Sequence, residues 1–484
     1  MRETYVISDL HLGGRSAGAA GATDPGFAIC TQGATIARFI RDLANGSSAD
    51  GSIELVINGD FLDFLTEPSA DSNSWTSLHS VESAALAFRR VCEREHLVFS
   101  ALEHFLCRGN RLVMTLGNHD LELTYPVIRQ LLRERLNVVN GTDFEFIFDG
   151  EAYTVGDAVI EHGNRYDRYN QVDHDAFRRF RSQLSRGLDG SNLMPSAPVG
   201  SCLVSEVINP LKEKYRFIDL LKPENEGMLP LLLTLEPAAR TTITRAIKVL
   251  LRGATHGLRD SVTPLRAGEI GSTGGSSQVY QGDLVSAPSR APEPVGILTD
   301  ELRRTMSTAD SQVFMDALFG PVDRELGEIG SREQLQSLLQ LLAYPSSDFK
   351  ARLGLLMKAV RVLQTDTSFE LTIDADKPYL SAARTLIRNG GFKFVIFGHT
   401  HLAKKIELET GAYLNSGTWA NLMRFPKSIF DVDANIANDA LREFVMDVGR
   451  NDVEKYFYFR PTYVRLISSA DRRVVSADLM EYEG

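Results

Sequence analysis

The sequence has little of what marks secreted, membrane-spanning or nucleic-acid-coating proteins. Its 484 residues include four cysteines and no CxxC pair, which argues against a disulfide framework and a zinc–thiolate site. Lys and Arg total 52 against 63 for Asp and Glu, and a net charge of −11 disfavours non-specific binding to nucleic acid or anionic membrane. No apolar run reaches the length of a signal peptide or a membrane span, so we expect a cytoplasmic protein.

The chain has the composition of a folded protein, with 43% hydrophobic and 24% charged residues, which excludes wholesale disorder. Strand and helix patterns alternate through residues 1–164 and strand signals return in 391–484, which predicts an α/β fold. Residues 165–390 are mostly helical in pattern, with a Gly/Ser/Pro-rich stretch near 262–294 that predicts a flexible loop. We therefore predict one α/β domain split by a large helical insertion.

Hydrophobic periodicity locates the individual elements. The predicted strands are Tyr5–Ser8, Ile53–Ile57, Leu112–Thr115, Phe144–Phe148, Ala158–Glu161, Phe392–Phe397, Ala412–Asn415 and Tyr456–Ile467. The predicted helices are Ala34–Ala44, Val81–Cys107, Val127–Leu136, Ala239–Leu251 and Phe349–Leu363.

Five short segments share one form, an apolar strand that ends in residue types able to ligate a metal. They are VISDLHL with Asp9 and His11, VINGDFLD with Asp60 and Asp63, TLGNHD with Asn118, His119 and Asp120, VIEHGN with His162, and VIFGHTH with His399 and His401. Because ligands of open α/β sheets bind beyond the carboxyl ends of strands, we expect these segments to converge. His, Asp and Asn donors without a thiolate favour divalent manganese, iron, zinc or nickel.

Each motif taken alone has an ordinary alternative. A strand-end histidine is more often hydrogen-bonded than metal-bound, and Gly-Asn-His-Asp by itself can form a turn. Asp63 suits the support of a ligand and the cap of a turn or helix equally well. The metal-centre interpretation depends on all five motifs occurring together, each after an apolar strand.

The set D-x-H, G-D-x-x-D, G-N-H-D, H-G and G-H-T-H resembles the calcineurin-like metallophosphoesterase superfamily. The likeness covers residues 4–164 and 392–420 and leaves the insertion uncovered. It implies a two-sheet α/β sandwich flanked by helices, and two divalent metal ions, with manganese favoured. The ligands that it implies are Asp9, His11, Asp60 and His401 for one ion, and Asp60, Asn118, His162 and His399 for the other, with Asp60 as the bridge.

The resemblance also implies hydrolysis of a phosphodiester or diphosphate bond. Two divalent ions ~3.5–4 Å apart need a shared anion, and the hydroxide formed from a water between them would be the nucleophile. His119 is not needed as a ligand and is the expected general acid or phosphate contact. Asp120 is the candidate for holding its ring.

Two branches of the superfamily can be compared. The sequence GDFLDF lacks the D-R-G ending of the protein Ser/Thr phosphatases. The segment HGNRYDRYNQVDHDAFRRF is similar to the UDP-diacylglucosamine pyrophosphohydrolase group, which also inserts a helical lid between its H-G and G-H-T-H motifs. The residues that carry this likeness are Asp167, Tyr169, Phe177, Arg178 and Arg179. This chain has His119 where that group has arginine, and its insertion is much longer, so the lipid substrate does not carry over.

Several polar residues are weaker candidates for contact with the substrate phosphate. They are Asn118, Asn164, Arg165, Arg178 and Arg179. Arg181 and Arg186 extend the basic cluster, which suits either a phosphate or a solvated helix face. The stretch 227–235 suits core packing of the lid better than an apolar pocket. Trp419 and Arg424 are further candidates, with core packing favoured for Trp419.

Three functions are open at this stage. The main hypothesis is a dinuclear-metal phosphodiesterase or pyrophosphohydrolase. A nuclease of the same superfamily is the alternative, and the acidic net charge disfavours nucleic acid as a partner. A non-catalytic scaffold comes last because every ligand position is filled. The sequence names neither the substrate nor a protein partner.

Overall fold

The computed structural model describes most of the chain outside the middle of the insertion. The described residues are 2–14, 28–46, 53–70, 72, 74–138, 141, 143–218, 220–222, 227–239, 337, 340–341, 348–373, 377–469, 471 and 473–484. The predicted loop near 262–294 and nearly all of the predicted helix Ala239–Leu251 lie outside these ranges.

The described residues form thirteen strands, eleven α-helices and several shorter helical turns. The strands are β1 (Arg2–Ile7), β2 (Glu54–Asn58), β3 (Arg111–Thr115), β4 (Phe144–Ile147), β5 (Tyr153–Val155), β6 (Ala158–Ile160), β7 (Phe394–Phe397), β8 (Lys404–Leu408), β9 (Gly411–Asn415), β10 (Leu422–Met423), β11 (Phe457–Tyr458), β12 (Thr462–Ser468) and β13 (Val474–Glu481). The α-helices are α1 (Gly33–Gly46), α2 (Val81–Arg94), α3 (His96–Cys107), α4 (Pro126–Arg135), α5 (His174–Leu184), α6 (Val199–Leu203), α7 (Asn209–Lys212), α8 (Leu229–Leu235), α9 (Phe349–Val360), α10 (Lys377–Gly390) and α11 (Ala434–Gly449). A π-helical turn spans Val204–Ile208.

Two mixed sheets carry the fold. The larger has the order β13-β12-β1-β2-β3-β4, in which β1 to β4 are parallel and β12 and β13 are antiparallel additions. The smaller has the order β5-β6-β7-β9-β8, with β6, β7 and β9 parallel. The α/β prediction is confirmed at this level, and each predicted strand overlaps an observed one.

The side chains of the strands alternate between two hydrophobic layers, as the two-residue period of a strand requires. Val6, Val56 and Val113 of the larger sheet pack in one cluster with Ile160 and Ile396 of the smaller sheet, so the two sheets face each other. Their strand neighbours Ile7, Leu55 and Leu112 instead join the cluster formed with α1 to α4. On the far side, Tyr379 and Ile387 of α10 pack on the smaller sheet. Helices therefore cover both outer faces.

The prediction of one helix over Val81–Cys107 is wrong. The chain turns at Glu95, where φ is −95° and ψ is 27°, and forms α2 and α3 instead. Phe88 of α2 and Phe99 and Phe105 of α3 are all buried in the same cluster. The break lets both helices direct their apolar sides at the sheet, which one straight helix of that length would not do.

The predicted insertion shares a hydrophobic core with the segment that follows the smaller sheet. Leu231 and Leu356, from α8 and α9, pack in one cluster with Phe444 and Val448 of α11. The apolar stretch 227–235 is thus core packing, as favoured from the sequence. Within the described ranges, no helix combines the length and the apolar character needed to cross a membrane.

Candidate metal centre

The five motif-bearing strands bring their ends to one place. Asp9 follows β1, Asp60 follows β2 and Asn118 follows β3 in the larger sheet. His162 follows β6 and His399 follows β7 in the smaller sheet. All five lie at the carboxyl ends of parallel strands, so the loops of two facing sheets converge, as expected for a ligand site of this fold class.

The side chains form three groups with metal-ligand geometry, two of which consist of predicted ligands; the third, His11, Asp63 and His119, shares His11 with one of them. In each group the ligand atoms all lie within 4.8 Å of one another. The first group is Asp9, His11 and His401, and the second is Asp60, His162 and His399. In the first, the Nε2 atoms of His11 and His401 are 2.9 Å apart. These are the two sets expected from the sequence, apart from the shared Asp60 and from Asn118.

Asp60 links the two groups through a single oxygen. Its Oδ2 lies 3.6 Å from His11 Nε2 and 3.2 Å from His162 Nε2. Its other oxygen, Oδ1, accepts a hydrogen bond from the backbone N–H of His119 at 2.9 Å. One oxygen is therefore used to hold the carboxylate, and the other faces both groups, which is the arrangement that a bridging ligand needs.

Unpaired buried atoms show that these residues fit a cation. The Nδ1–H of His162 donates to the carbonyl of Asn58 at 2.9 Å, so Nε2 is the ring nitrogen left to bind a proton or a metal. That Nε2 is buried without a hydrogen-bond partner and faces the Asp60 carboxylate. Asn118 Oδ1 is likewise buried without a partner. Acceptors facing one another in a buried site call for a positive charge between them, which a metal ion would supply.

Backbone strain is concentrated at the same residues. Seven non-glycine residues in the described part of the chain have positive φ, a conformation that side chains disfavour. Two are asparagines, which tolerate it. The other five are the candidate ligands Asp9 (53°), His11 (42°), Asp60 (49°), His399 (68°) and His401 (64°). Strain of this kind persists where function requires it, and the sequence carried no signal for it beyond the motifs.

Two motif glycines leave room for the ligand side chains. A Cβ added to Gly117 would lie 2.0 Å from Asp60 Oδ1. A Cβ added to Gly59, whose φ is 77°, would lie 2.4 Å from His162 Nδ1. Gly59 and Gly117 therefore precede Asp60 and Asn118 because the ligands pack directly against the backbone there.

Asp63 holds the rings of two histidines. Its Oδ2 lies 3.1 Å from both His11 Nδ1 and His119 Nδ1. Its Oδ1 accepts from the backbone N–H of Leu65 at 3.0 Å, where it caps a short helical turn. The two roles that the sequence left open are both present. By orienting His11, Asp63 leaves the Nε2 of that ring for a metal, as outer partners of ligating histidines do.

The expectation that Asp120 holds the His119 ring is wrong. The Asp120 oxygens accept from the backbone N–H groups of Phe61 at 2.9 Å and Gly117 at 2.8 Å. Asp120 is fully buried and ties together the two loops that carry Asp60 and Asn118. A GNHD motif does not reveal this difference, because adjacent residues point their side chains in different directions and only the fold decides what each one reaches.

The electrostatics of the centre favour bound cations. Burial opposes ionisation of Asp60, but the charges of His162 and His119 hold its pKa well below the usual range. Burial likewise disfavours the charged form of His162, yet Asp60 raises its pKa to about 10. A proton and a metal compete for the same lone pair, so carboxylates that attract one also attract the other. His119 has its pKa raised to about 9, since Asp63 and Asp60 outweigh burial.

A chain of hydrogen bonds supports the second group from the segment after His162. Asn118 Nδ2 donates to Asn170 Oδ1 at 3.4 Å, and Asn170 Nδ2 donates to Asp167 Oδ2 at 2.6 Å. That same Asp167 oxygen lies 3.3 Å from His399 Nε2. Asn164 donates to the Asn170 carbonyl at 2.9 Å, so it positions this chain. Asn170 belongs to no motif, so sequence reasoning did not single it out.

The structure does not bring the candidate arginines to the metal centre. Arg165 bonds the Gly150 carbonyl and pairs with Glu161 at 3.1 Å. Arg178 is exposed on α5 and pairs with Asp175 at 3.2 Å. The cleft that it lines contains none of the candidate ligands, and Arg179 is also exposed. Arg178 and Arg179 therefore lie on a solvated face of α5, since Phe177 and Phe180 turn the other side of the helix into the core. Arg181 differs from them, because it is buried and lies 5.1 Å from the ring centroid of Phe148.

Trp419 and Arg424, the two candidates that follow β9, lie in different surroundings. Trp419 is fully buried, stacks near Phe39 at 4.9 Å between ring centroids, and donates to the carbonyl of Thr462. It is core packing, as favoured from the sequence. Arg424 is exposed beside Tyr458, which lines a cleft that also contains His401.

Comparison of this chain with models of protein families found none that matches, and comparison with curated proteins found no matching relative. The chemistry of the centre is therefore inferred from its own side chains.

Proposed function

We propose that this protein is a metal-dependent hydrolase of phosphodiester or diphosphate bonds, similar to the calcineurin-like metallophosphoesterases. The observation that carries the proposal is the position of Asp60 Oδ2, 3.6 Å from His11 Nε2 and 3.2 Å from His162 Nε2. A single carboxylate oxygen between two His/Asp groups suits two divalent cations, with manganese favoured and iron, zinc or nickel as alternatives. Asp9, His11, Asp60 and His401 would hold one, and Asp60, Asn118, His162 and His399 the other.

Bound there, the cations would supply charge that attracts a phosphate ester and lowers the pKa of the attacking water. The protein's own part is to fix the ligands. The backbone N–H of His399 donates to both oxygens of Asp9 at 3.0 Å, and Thr418 donates to the Asp9 carbonyl at 2.6 Å. These bonds hold the backbone and the carboxylate of Asp9 in the position that a metal ligand needs.

His119 is the residue suited to protonate the leaving group. Its Nδ1 is engaged by Asp63, so its Nε2 is the nitrogen able to carry a proton to a substrate oxygen. The side chain is 18% exposed, in contrast to 1% for the rings of His11 and His162. It therefore stands at the edge of the centre, where a substrate can reach it, and Asp63 stabilises the ring in its charged form.

The test begins with metal content. The full-length protein, loaded with Mn²⁺ and freed of excess ion, should contain two ions per chain by elemental analysis. It should then hydrolyse members of a panel that contains bis-p-nitrophenyl phosphate, organic diphosphates, phosphomonoesters, and single- and double-stranded nucleic acid. Hydrolysis confined to nucleic acid would favour a nuclease instead. Two bound ions without hydrolysis of any compound in the panel would favour a non-catalytic scaffold. One bound ion or none would reject the dinuclear centre.

A further inference from the structure

An open cleft lies between the start of α5 and the turn that follows β4. Its volume is about 380 Å³, and its charged and polar lining consists of His174, Arg178, Arg181 and three aspartates. That volume falls within the range of ~300–1,000 Å³ that is typical of small-molecule sites. None of the candidate metal ligands lines it. A ligand of this cleft would therefore be held by side chains other than those of the metal centre.

Arg181 is a buried cation in the lining of this cleft. It is 6% exposed, and its Nη1 is enclosed without a hydrogen-bond partner. Among the described residues its guanidinium forms no ion pair, and the contact that it makes is with the ring of Phe148, 5.1 Å from the centroid. An aromatic ring attracts a cation without neutralising its charge. Because arginine is almost never fully buried unless it is paired, Arg181 indicates that an anion belongs beside it.

A second arginine adds positive charge at the same ring. The guanidinium carbon of Arg129, from α4, lies 3.9 Å from the centroid of Phe148, and its Nε is buried without a partner. Arg129 likewise forms no ion pair with any residue that the structure describes. The pKa of Arg181 is lowered by burial first and by the charge of Arg129 second, and Asp149 opposes both effects without outweighing them. The two guanidinium groups therefore leave an unbalanced positive charge beside the cleft.

The three aspartates of the cleft have different partners. Asp175 pairs with Arg178 at 3.2 Å, so these two charges offset each other. Asp173 accepts a backbone N–H from the first turn of α5 with its Oδ1, at 2.8 Å, and Asp149 accepts one from its own turn with its Oδ1, at 3.2 Å. Within the described ranges, the Oδ2 atoms of Asp149 and Asp173 accept no hydrogen bond. These two exposed carboxylates can therefore accept hydroxyl groups of a ligand.

His174 completes the polar lining. Its Nδ1 is buried without a partner, and its ring packs on Gly150, where an added Cβ would lie 2.4 Å from Nε2. Gly150 has a φ of 88°, so the lack of a side chain there gives the ring its place. Burial lowers the pKa of His174, and the charges of Arg165 and Arg181 lower it further. The neutral ring is thus favoured, and it offers one N–H donor.

We propose that this cleft binds a small phosphate monoester that carries free hydroxyl groups, with Arg181 as the principal contact of its phosphate. The donors of a guanidinium match the oxygens of a phosphate, and the second arginine adds the charge that a dianion needs. His174 supplies a neutral donor, and Asp149 and Asp173 supply acceptors for the hydroxyl groups. The site does not depend on the proposed hydrolase function, because its lining contains none of the candidate metal ligands.

Calorimetry with glycerol 3-phosphate tests the site in the full-length protein. The titration is done in EDTA, so that the probe cannot bind through a divalent metal. The wild type should bind glycerol 3-phosphate, bind inorganic phosphate more weakly because it lacks the hydroxyl groups, and not bind glycerol. Arg181→Met keeps an apolar side chain and removes the charge, so the affinity should fall by about 10-fold or more. Arg129→Met should also weaken binding. The control Arg179→Met, an exposed position of α5 outside the cleft lining, should match the wild type.

No binding of glycerol 3-phosphate by the wild type, or an unchanged affinity in Arg181→Met, would overturn the site. Equal affinities for glycerol 3-phosphate and inorganic phosphate would reject a hydroxylated ester as the ligand. Thermal unfolding separates binding from packing. Without ligand, Arg181→Met should unfold at or above the temperature of the wild type, because it lacks the unpaired buried charge, and the probe should raise the unfolding temperature of the wild type more. Equal stabilisation of both by the probe would assign Arg181 to packing. If Arg181→Met does not fold, the half-buried Arg129→Met decides, and wild-type affinity in that variant would reject the site.

Discussion

The two-sheet region and the predicted insertion differ in what their sequences reveal. In the sheets, each candidate ligand follows an apolar strand, so its position along the chain already tells which end of the fold it occupies. In residues 165–390 the most suggestive cluster is divided, because Arg178 and Arg179 of α5 face solvent while Arg181 is buried. Phe369, which belongs to no motif, lines a cleft together with His401. The carboxyl ends of parallel strands lie at one edge of a sheet, so a residue after such a strand has a predictable place. A helix in an irregular connection has no such predictable place.

The largest effect should come from the residue that joins both metal groups. Asp60→Ala removes the one oxygen that faces His11 and His162, and with it the charge that lets two cations coexist. We expect loss of at least one bound ion and of activity by ~10³-fold or more, because metal catalysis contributes several kcal/mol. Elemental analysis and phosphodiester hydrolysis measure this, with unchanged circular dichroism as the check on folding.

Asp175→Ala is the matched control for that experiment. Asp175 is an exposed carboxylate on α5, and its removal should leave metal content unchanged. Two ions and normal turnover in Asp60→Ala would reject Asp60 as the bridge.

The next effect separates His119 from the ligand histidines. If His119 protonates the leaving oxygen, His119→Asn should retain both ions and lose ~10²–10⁴-fold in rate on an alkyl phosphodiester. On a p-nitrophenyl ester it should lose far less, because p-nitrophenolate leaves without a proton. His162→Asn should instead lose metal affinity, and rate on both esters. The measurement is the rate of each variant on matched ester pairs, and equal losses of His119→Asn on both would assign it to phosphate contact alone.

A smaller effect, a loss of metal affinity, is expected for Gly117→Ala. The new methyl group would fall 2.0 Å from Asp60 Oδ1, so the carboxylate must move. A change in the residues that position a metal ligand typically lowers the metal affinity by ~10–100-fold. Gly46→Ala is the control, because a Cβ there meets nothing within 4 Å. Competition with a metal-binding dye compares the two variants, and equal affinities would contradict the packing argument.

In the predicted insertion, a comparable buried contact should affect stability rather than metal binding. Asn209, fully buried in α7, donates through Nδ2 to the carbonyl of Leu65 at 2.6 Å and so ties α7 to the turn after Asp63. Asn209→Ala leaves that carbonyl unpaired and should lower the free energy of unfolding by about 1–3 kcal/mol. Urea denaturation measures it against exposed Asn435→Ala. A change in metal stoichiometry without a loss of stability would mean that Asn209 acts on the centre instead.

The smallest effect is expected for Arg178→Gln on α5. Its pair with Asp175 is exposed, and such pairs contribute about 0–1 kcal/mol. Hydrolysis of a diphosphate by Arg178→Gln should therefore stay close to the wild-type rate. A clear loss of rate would return the substrate site to the basic face of α5.

Much of the candidate site was predictable because its residues sit in short motifs. Five strand-end motifs and the family resemblance that they carry named the candidate ligands Asp9, His11, Asp60, His162, His399 and His401, and the structure gathers these six into two groups. Asn118 was named as well, and its Oδ1 is buried without a partner. The residues that were missed or given the wrong role make contacts between segments that lie far apart in the sequence. Asn170 bridges Asn118 and Asp167, and Asp63 rather than Asp120 holds His119.

The same division applies to the fold. Apolar periodicity located most strands of both sheets, but it predicted one helix in place of α2 and α3 because their apolar residues continue across Glu95. It also missed β5, β8 and β13, which are antiparallel additions to the parallel strands. Edge strands of this kind are half exposed, and their mixed pattern resembles a loop.

The amino-acid sequence by itself determined the alternation of strands and helices and the chemical identity of the donors, because both follow from local residue order. Only the tertiary structure decided that His11 and His401, 390 positions apart in the chain, face each other at 2.9 Å. It also decided that five ligands adopt positive φ, and that Arg424 lies over one ring from each region. These features depend on which surfaces pack together, and packing is set by the whole chain rather than by any segment of it.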